Sequence, residues 1–142
     1  MSKKQTLSFD YDYNYQIIGI CCHLKDYRLA YFLNKDLTLK LIKQEDFTFS
    51  FVDTLKSAFT FYKHNLEENE LNIYLMQNRS SEGGVLIPEY KQADYIFIIE
   101  NEENFNEETL EYLTKIKNIN AVLTAFNIDY KSLKHKDILI FE

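Results

Sequence analysis

The chain of 142 residues has no tryptophan, one proline and three glycines. So few chain-breakers exclude a collagen-like or a Pro/Gly-rich disordered segment, and they imply long regular elements. Cysteine occurs only at the adjacent positions Cys21 and Cys22. Neighbouring thiols make a strained disulfide, so a disulfide scaffold is excluded and a cytoplasmic protein with reduced thiols is expected. The longest apolar run, Ile17 to Cys22 with Gly19 inside it, falls far short of the ~20 residues of a membrane span. No apolar stretch follows Lys3 and Lys4, so no secretory signal is expected. Positive charge is short too. A net charge of −6 argues against a general nucleic-acid or anionic-membrane surface, which needs a basic face. Also missing are GxGxxG, Walker, GxSxG and HExxH patterns. His23, His64 and His135 are far apart, and Cys21-Cys22-His23 lacks the second ligand pair of a structural zinc site. No metal, cofactor or catalytic set is therefore expected.

What is present is a globular composition, 46% hydrophobic and 27% charged, with 11 Phe and 11 Tyr to fill the core. The length suits a single domain over 1–142. Three of the four Gly and Pro residues, Gly83, Gly84 and Pro88, fall within one short segment, so one irregular loop is expected in an otherwise regular chain. Residues 5–11 alternate as an edge strand. Ile17, Ile20, Leu24, Tyr27 and Tyr31, widened by Leu29 and Leu33, recur at helical spacing and predict a helix over 15–33, ended by Asn34-Lys35-Asp36. Alternation predicts strands at 37–41 and 47–51. The runs 58–62 and 71–76 predict a long-looped hairpin. Residues 93–99 are apolar nearly throughout and read as a central strand covered on both faces. Asn104 and Glu107 have capping-box spacing ahead of a helix with Leu110, Leu113 and Ile116 as its buried stripe and Lys115 and Lys117 near its C-terminus. Strands at 121–126 and 138–141 complete the set. The fold class expected is α+β, a two-layer sandwich with a mixed, mainly antiparallel sheet and two main helices; the unit 93–126 suits a right-handed crossover.

The tyrosines Tyr11, Tyr13, Tyr15, Tyr27 and Tyr31 crowd the first third of the chain, where packing is their expected role. Glu100, Glu102, Glu103, Glu107, Glu108 and Glu111 form an acidic stretch free of Lys and Arg, a candidate partner surface. Arginine occurs twice, at Arg28 and Arg79, against fourteen lysines. Its planar fork suits carboxylate recognition, so each arginine is a candidate structural anchor.

The segment Ile87-Pro88-Glu89-Tyr90-Lys91-Gln92-Ala93-Asp94-Tyr95 resembles the signature of the IPExxxVDY family of small bacterial proteins. Ile87, Pro88, Glu89, Asp94 and Tyr95 match it, and Ala93 stands where the family has Val. The stretch Asp26 to Asn34 and the Asn78-Arg79 step are similar to the family as well. The resemblance implies no activity, cofactor or catalytic residue; family members encoded near ribonuclease III put an RNA setting among the possibilities.

Glu89 or Asp94, close to an apolar strand, requires a partner if buried, and Arg28 is the preferred one, with Arg79 the alternative. Gly83-Gly84 is expected to turn Val85-Leu86-Ile87 into an extended arm that Pro88 ends. The function expected is that of a non-catalytic cytosolic interaction or accessory protein with a protein partner, contacted through the 83–89 loop or the acidic surface. An RNA- or ribosome-associated protein using Arg28, Arg79, Lys131, Lys134 and Lys136 is the alternative, disfavoured by charge. An enzyme using Glu89 and Asp94 is the third.

Overall fold

Residues 15–22, 73–76 and 95–99 carry apolar side chains on both alternate faces. Strands of that kind belong inside a sheet with cover on each side. In the computed structural model, which describes residues 14–52, 55–65, 72–101, 107–129 and 132–133, they form the centre of a six-stranded sheet. The elements are β1 (Asn14–Cys22), α1 (Asp26–Leu37), β2 (Leu41–Lys43), β3 (Phe47–Val52), β4 (Leu55–Phe59), β5 (Phe61–His64), β6 (Asn72–Gln77), a 3-10 turn (Pro88–Tyr90), β7 (Tyr95–Asn101), α2 (Glu107–Lys117) and β8 (Val122–Ile128). The sheet order is β2-β5-β6-β7-β1-β8, with β3 and β4 paired separately, so the class is α+β as expected.

Every described pairing is antiparallel. The β7–α2–β8 unit does join two strands that point the same way. However, β1 lies between them and pairs with both, so no parallel neighbours arise. The expected mixed sheet is in this respect corrected: the gap that a crossover leaves is filled by the first described strand.

Alternation sorts the central residues onto two cores. Ile18, Ile20, Ile73, Leu75, Phe97 and Ile99 pack under Leu29, Leu33 and Leu37 of α1 and Ile116 of α2. On the other face Ile17, Tyr74, Met76, Ile96 and Ile98 pack under Phe59 of the β3–β4 hairpin, Phe47, and the loop residues Leu86, Ile87 and Ala93. Helices cover one face; a hairpin and the irregular loop cover the other. The central strand expected at 93–99 is present as Tyr95–Asn101, with Ala93 and Asp94 still in the loop and Ile96, Phe97 and Ile98 fully buried.

Other expectations are corrected. The helix expected over 15–33 is two elements: β1, then α1 from Asp26. Ile17, Ile18 and Ile20 are β-branched and all fully buried, which an interior strand satisfies and a one-faced helix does not. Tyr27 and Tyr31, expected on the buried stripe, are 61% and 57% exposed, and Leu29, Ala30, Leu33 and Leu37 face the core. Asn34-Lys35-Asp36 continues the helix, which ends at Thr38 in the left-handed region (φ 58°), a conformation rare for a β-branched residue. The Asn34 side chain then takes the N–H of Leu41 at 2.8 Å, starting β2 after the turn. The strand expected at 37–41 accordingly begins only at Leu41. The run 58–62 is shared by β4 and β5 across a corner at Thr60, and only β5 pairs with β6. On α2, Ile116 is buried but Leu110 is 50% exposed, and Thr109 is buried instead. The strands expected at 5–11 and 138–141, and Asn104, lie outside the described residues. Among the described residues no helix is long and apolar enough to cross a membrane.

Three buried tyrosines fasten the sheet through their hydroxyls. Tyr62 donates to Asp26 Oδ2 (2.8 Å), Tyr74 to Glu100 Oε1 (3.2 Å) and Tyr95 to the carbonyl of Leu24 (2.6 Å). Burial, reinforced by nearby negative charge, pushes all three phenols well above their ordinary value of 10. In the unfolded chain these groups lose their protons near pH 10, while the folded chain still holds them, so stability is complete below about pH 10 and falls as pH rises beyond it. Urea midpoints measured from neutral to alkaline pH are expected to decline from that point, less steeply in Tyr62→Phe. Phe97→Ala, at the centre of the helix-side core, is expected to cost about 3–5 kcal/mol in the same assay at neutral pH.

Candidate functional site

β6 and β7 pair in register up to Gln77 and Tyr95. One step beyond, Asn78 lies opposite Asp94, and the residues between them must cross the sheet's second face as a loop. A loop laid on an apolar surface needs partners for its backbone polar groups. Asn78 supplies them. Its fully buried side chain donates from Nδ2 to the carbonyls of Tyr90 and Ala93, both at 3.0 Å, and accepts the N–H of Ile87 on Oδ1 at 2.8 Å. Its backbone donates to Asp94 O (3.0 Å) and accepts from Leu86 N (2.7 Å). One residue thus holds both ends of the motif-bearing loop.

Asp94 closes the arrangement against β1. Its N–H donates to Ile20 O at 2.8 Å, and its Oδ2 accepts the N–H of Cys22 at 2.9 Å. The register of β1 against β8 shifts between Cys21 and Cys22, and the carboxylate takes up an N–H at that irregularity. The other oxygen, Oδ1, receives Arg79 Nη1 at 2.6 Å, while Arg79 Nη2 donates to the carbonyl of Lys91. The fork is split between a carboxylate and a carbonyl, with the two side chains 50% and 27% exposed.

Beyond Arg79 the chain turns on itself. Ser80 N donates to Gly84 O (2.8 Å), and Gly83 has φ +102°, the conformation that a glycine serves there. Glu82 accepts from Ser80 Oγ and from Ala58 N, tying the turn to β4. The extended arm expected after Gly84 is short: Val85 makes a single bridge with Arg79, and Pro88 opens the 3-10 turn. Tyr90 in that turn lies against Phe126 (5.8 Å), whose ring covers Gly19 so closely that a Cβ there would come within 2.8 Å of it.

The preference for Arg28 is corrected. Arg28 is exposed on α1, which turns its leucines to the sheet, whereas Arg79 and Asp94 emerge at the same end of neighbouring strands. Glu89 is exposed on the 3-10 turn and Asp94, not Glu89, takes the guanidinium. Asn78, whose step was noted only as similar to the family, is the residue whose role sequence reasoning missed. The signal for it was an amide directly after an apolar strand and ahead of the glycines.

Two thiols lie beside this site. Burial, then the negative charge of Asp94, pushes the Cys21 thiol up, against a smaller opposing effect of Arg79. Burial and Asp94 also raise Cys22, opposed by its hydrogen bond with the Leu24 backbone. Both thiols are thereby held in the protonated, less nucleophilic form. Cys21 Sγ donates to Gln92 O at 3.3 Å. Among the described residues no three His, Cys, Asp or Glu side chains gather where a metal ion would be held. Of the acidic stretch, Glu100 accepts from Tyr74, Glu111 pairs with Lys115 at 3.1 Å, and Glu107 is exposed. Glu102 and Glu103, the side chain of Glu108, and Lys131, Lys134, Lys136, Tyr11 and Tyr13 lie outside the described residues.

A second feature lies on the opposite side of the sheet. Exposed Tyr31 packs edge-on against Phe32 (5.3 Å), Lys35 Nζ lies 5.8 Å from both ring centres, and Tyr27 stands one turn earlier. No family model, curated protein or solved structure matches the chain.

Asn78→Ala would take the side-chain partner from the Ala93 carbonyl and the Ile87 N–H in a buried place, and leave the Tyr90 carbonyl only its bond from Ala93 N, and is expected to cost about 3–5 kcal/mol. Asn78→Asp keeps an acceptor but turns negative charge on two carbonyl oxygens, and should be no better. Arg79→Ala removes a half-exposed, water-screened pair and is expected to cost about 1 kcal/mol. Urea unfolding of the three variants ranks them; a larger loss at Arg79 than at Asn78 would make the ion pair the organiser instead.

Proposed function

We propose that the chain belongs with the IPExxxVDY proteins it resembles and is a non-catalytic cytosolic accessory protein that works by binding another protein. The observation that carries this reading is the exposed tyrosine pair on α1. Tyr27 and Tyr31 are each more than half exposed, one helical turn apart, with Arg28 and Lys35 beside them. Tyr and Arg are the residues that most often anchor protein interfaces, and a helix presenting them outward has no need of them for its own core. The motif supports the same reading from the other direction. Asn78, Arg79 and Asp94 direct their polar groups to backbone and to one another, which is the work of a fold clamp. In this reading α1 is the contact surface, in preference to the 83–89 loop and the acidic surface.

The test is capture. Immobilised wild type and the double variant Tyr27→Ala/Tyr31→Ala are exposed to lysate of cells that natively express the chain. Proteins retained by wild type and lost by the double variant are the expected result. Identical sets would count against the surface. Retention abolished by ribonuclease and steeply weakened by salt would favour the RNA reading.

A further inference from the structure

The two helices share one core on one face of the sheet, so their outer sides form a single layer turned away from it. Of the five large apolar side chains at least half exposed among the described residues, three are on that layer: Tyr27 and Tyr31 on α1, Leu110 on α2. The charges beside them differ in sign. Tyr27, Tyr31 and Lys35 follow one another at helical spacing on α1, while Glu107 and Glu111 flank Leu110 on α2, Glu111 also pairing with Lys115 one turn on. β1 and β7 are antiparallel neighbours and each leads into its helix, so α1 and α2 run in opposite senses.

From this we infer that the helical layer is a self-association surface whose occupant is a second copy of this chain, related by a two-fold axis parallel to the helices. It rests on the reading of α1 as the working surface and names the partner. That axis lays α1 of one copy over α2 of the other, running antiparallel, and repeats the contact on the other side, as an isologous dimer requires. Lys35, in the last turn of α1, then comes over Glu107 and Glu111 in the first turns of the facing α2, and Tyr31 meets Leu110. Arg28 falls at the far end beside Lys117 of the second copy, a solvent-exposed like-charge contact of small cost. The acidic end therefore sets the register. Twelve residues of helix and two helices side by side make a footprint of about 20 by 20 Å, below the ~800 Å² per partner of a standard interface. The dimer is weak and concentration-dependent.

Sedimentation velocity on the purified full chain, from about 5 to about 500 µM, brackets the micromolar dissociation constant of such a contact. Wild type is expected to pass from monomer to dimer. Lys35→Glu, and separately Glu107→Lys/Glu111→Lys, should each weaken dimerisation roughly tenfold or more, and an equimolar mixture of the two should associate again. The mixture keeps the test valid if either reversal perturbs its own chain, and circular dichroism checks that both remain folded. A wild type that stays monomeric at the highest concentration overturns the inference. So does a dimer indifferent to both charge reversals, which would use another face. A monomeric wild type whose lysate capture still depends on Tyr27 and Tyr31 overturns self-association while leaving the surface reading intact; loss of both overturns both.

Discussion

Three neighbouring strands, β6, β7 and β1, are apolar on both faces, and the remaining architecture answers to that. Each fully buried isoleucine or phenylalanine contributes about 1.5–3 kcal/mol only when water is removed from its own side of the sheet. Ile18, Phe97 and Leu75 require one cover, and Ile17, Ile98 and Met76 require another. The chain has only two described helices, and both lie over the first set. The second set is left to a two-stranded hairpin, which brings Phe47 and Phe59, and to a loop, which brings Leu86, Ile87 and Ala93.

A loop used as a cover carries backbone amides and carbonyls into an apolar setting, and this is the problem that Asn78 resolves. A carboxamide offers two donors and an acceptor in one plane without a charge to desolvate, which suits a fully buried position better than either member of the nearby ion pair. Arg79 and Asp94 act where water still reaches them, closing the mouth of the loop. The division is by depth: a neutral amide inside and a charged fork outside.

The central strand was legible because the apolar run 95–99 is unbroken and no helix of that length would bury every position. The stretch 15–22 was not, since Ile17, Ile20 and Leu24 fit a helical period by coincidence, and only the β-branched run Ile17-Ile18 with Ile20 spoke for a strand. Tyr27 and Tyr31 reinforced the error: a tyrosine is apolar enough to be counted toward a buried stripe and polar enough to stand outside it. At the candidate site the loop, a turn at Gly83-Gly84 and the pairing of an arginine with either Glu89 or Asp94 followed from residue chemistry. Which arginine it takes did not, because that depends on strand order, and β6 beside β7 places Arg79 there. Asn78 was hidden for a related reason. A lone amide in a sequence reads as a turn residue until the carbonyls it serves, more than ten positions away, are known to be near it.

The order of the strands in the sheet also sets a timetable for synthesis. β1 is the first described element, yet both of its neighbours come from the later part of the chain: Ile17 pairs with Ile98 and with Ile128. At a translation rate of ~5–20 residues per second, its isoleucines leave the ribosome roughly 4–16 s before β7 has been made, and longer before β8. During that interval this apolar strand has neither of its lateral partners nor the α2 side of its cover. The nascent chain therefore carries an aggregation-prone segment that local folding cannot hide, and contacts this distant in sequence close slowly once both strands exist. The six-stranded sheet therefore closes only after β7 and β8, the two strands that flank β1, have been made.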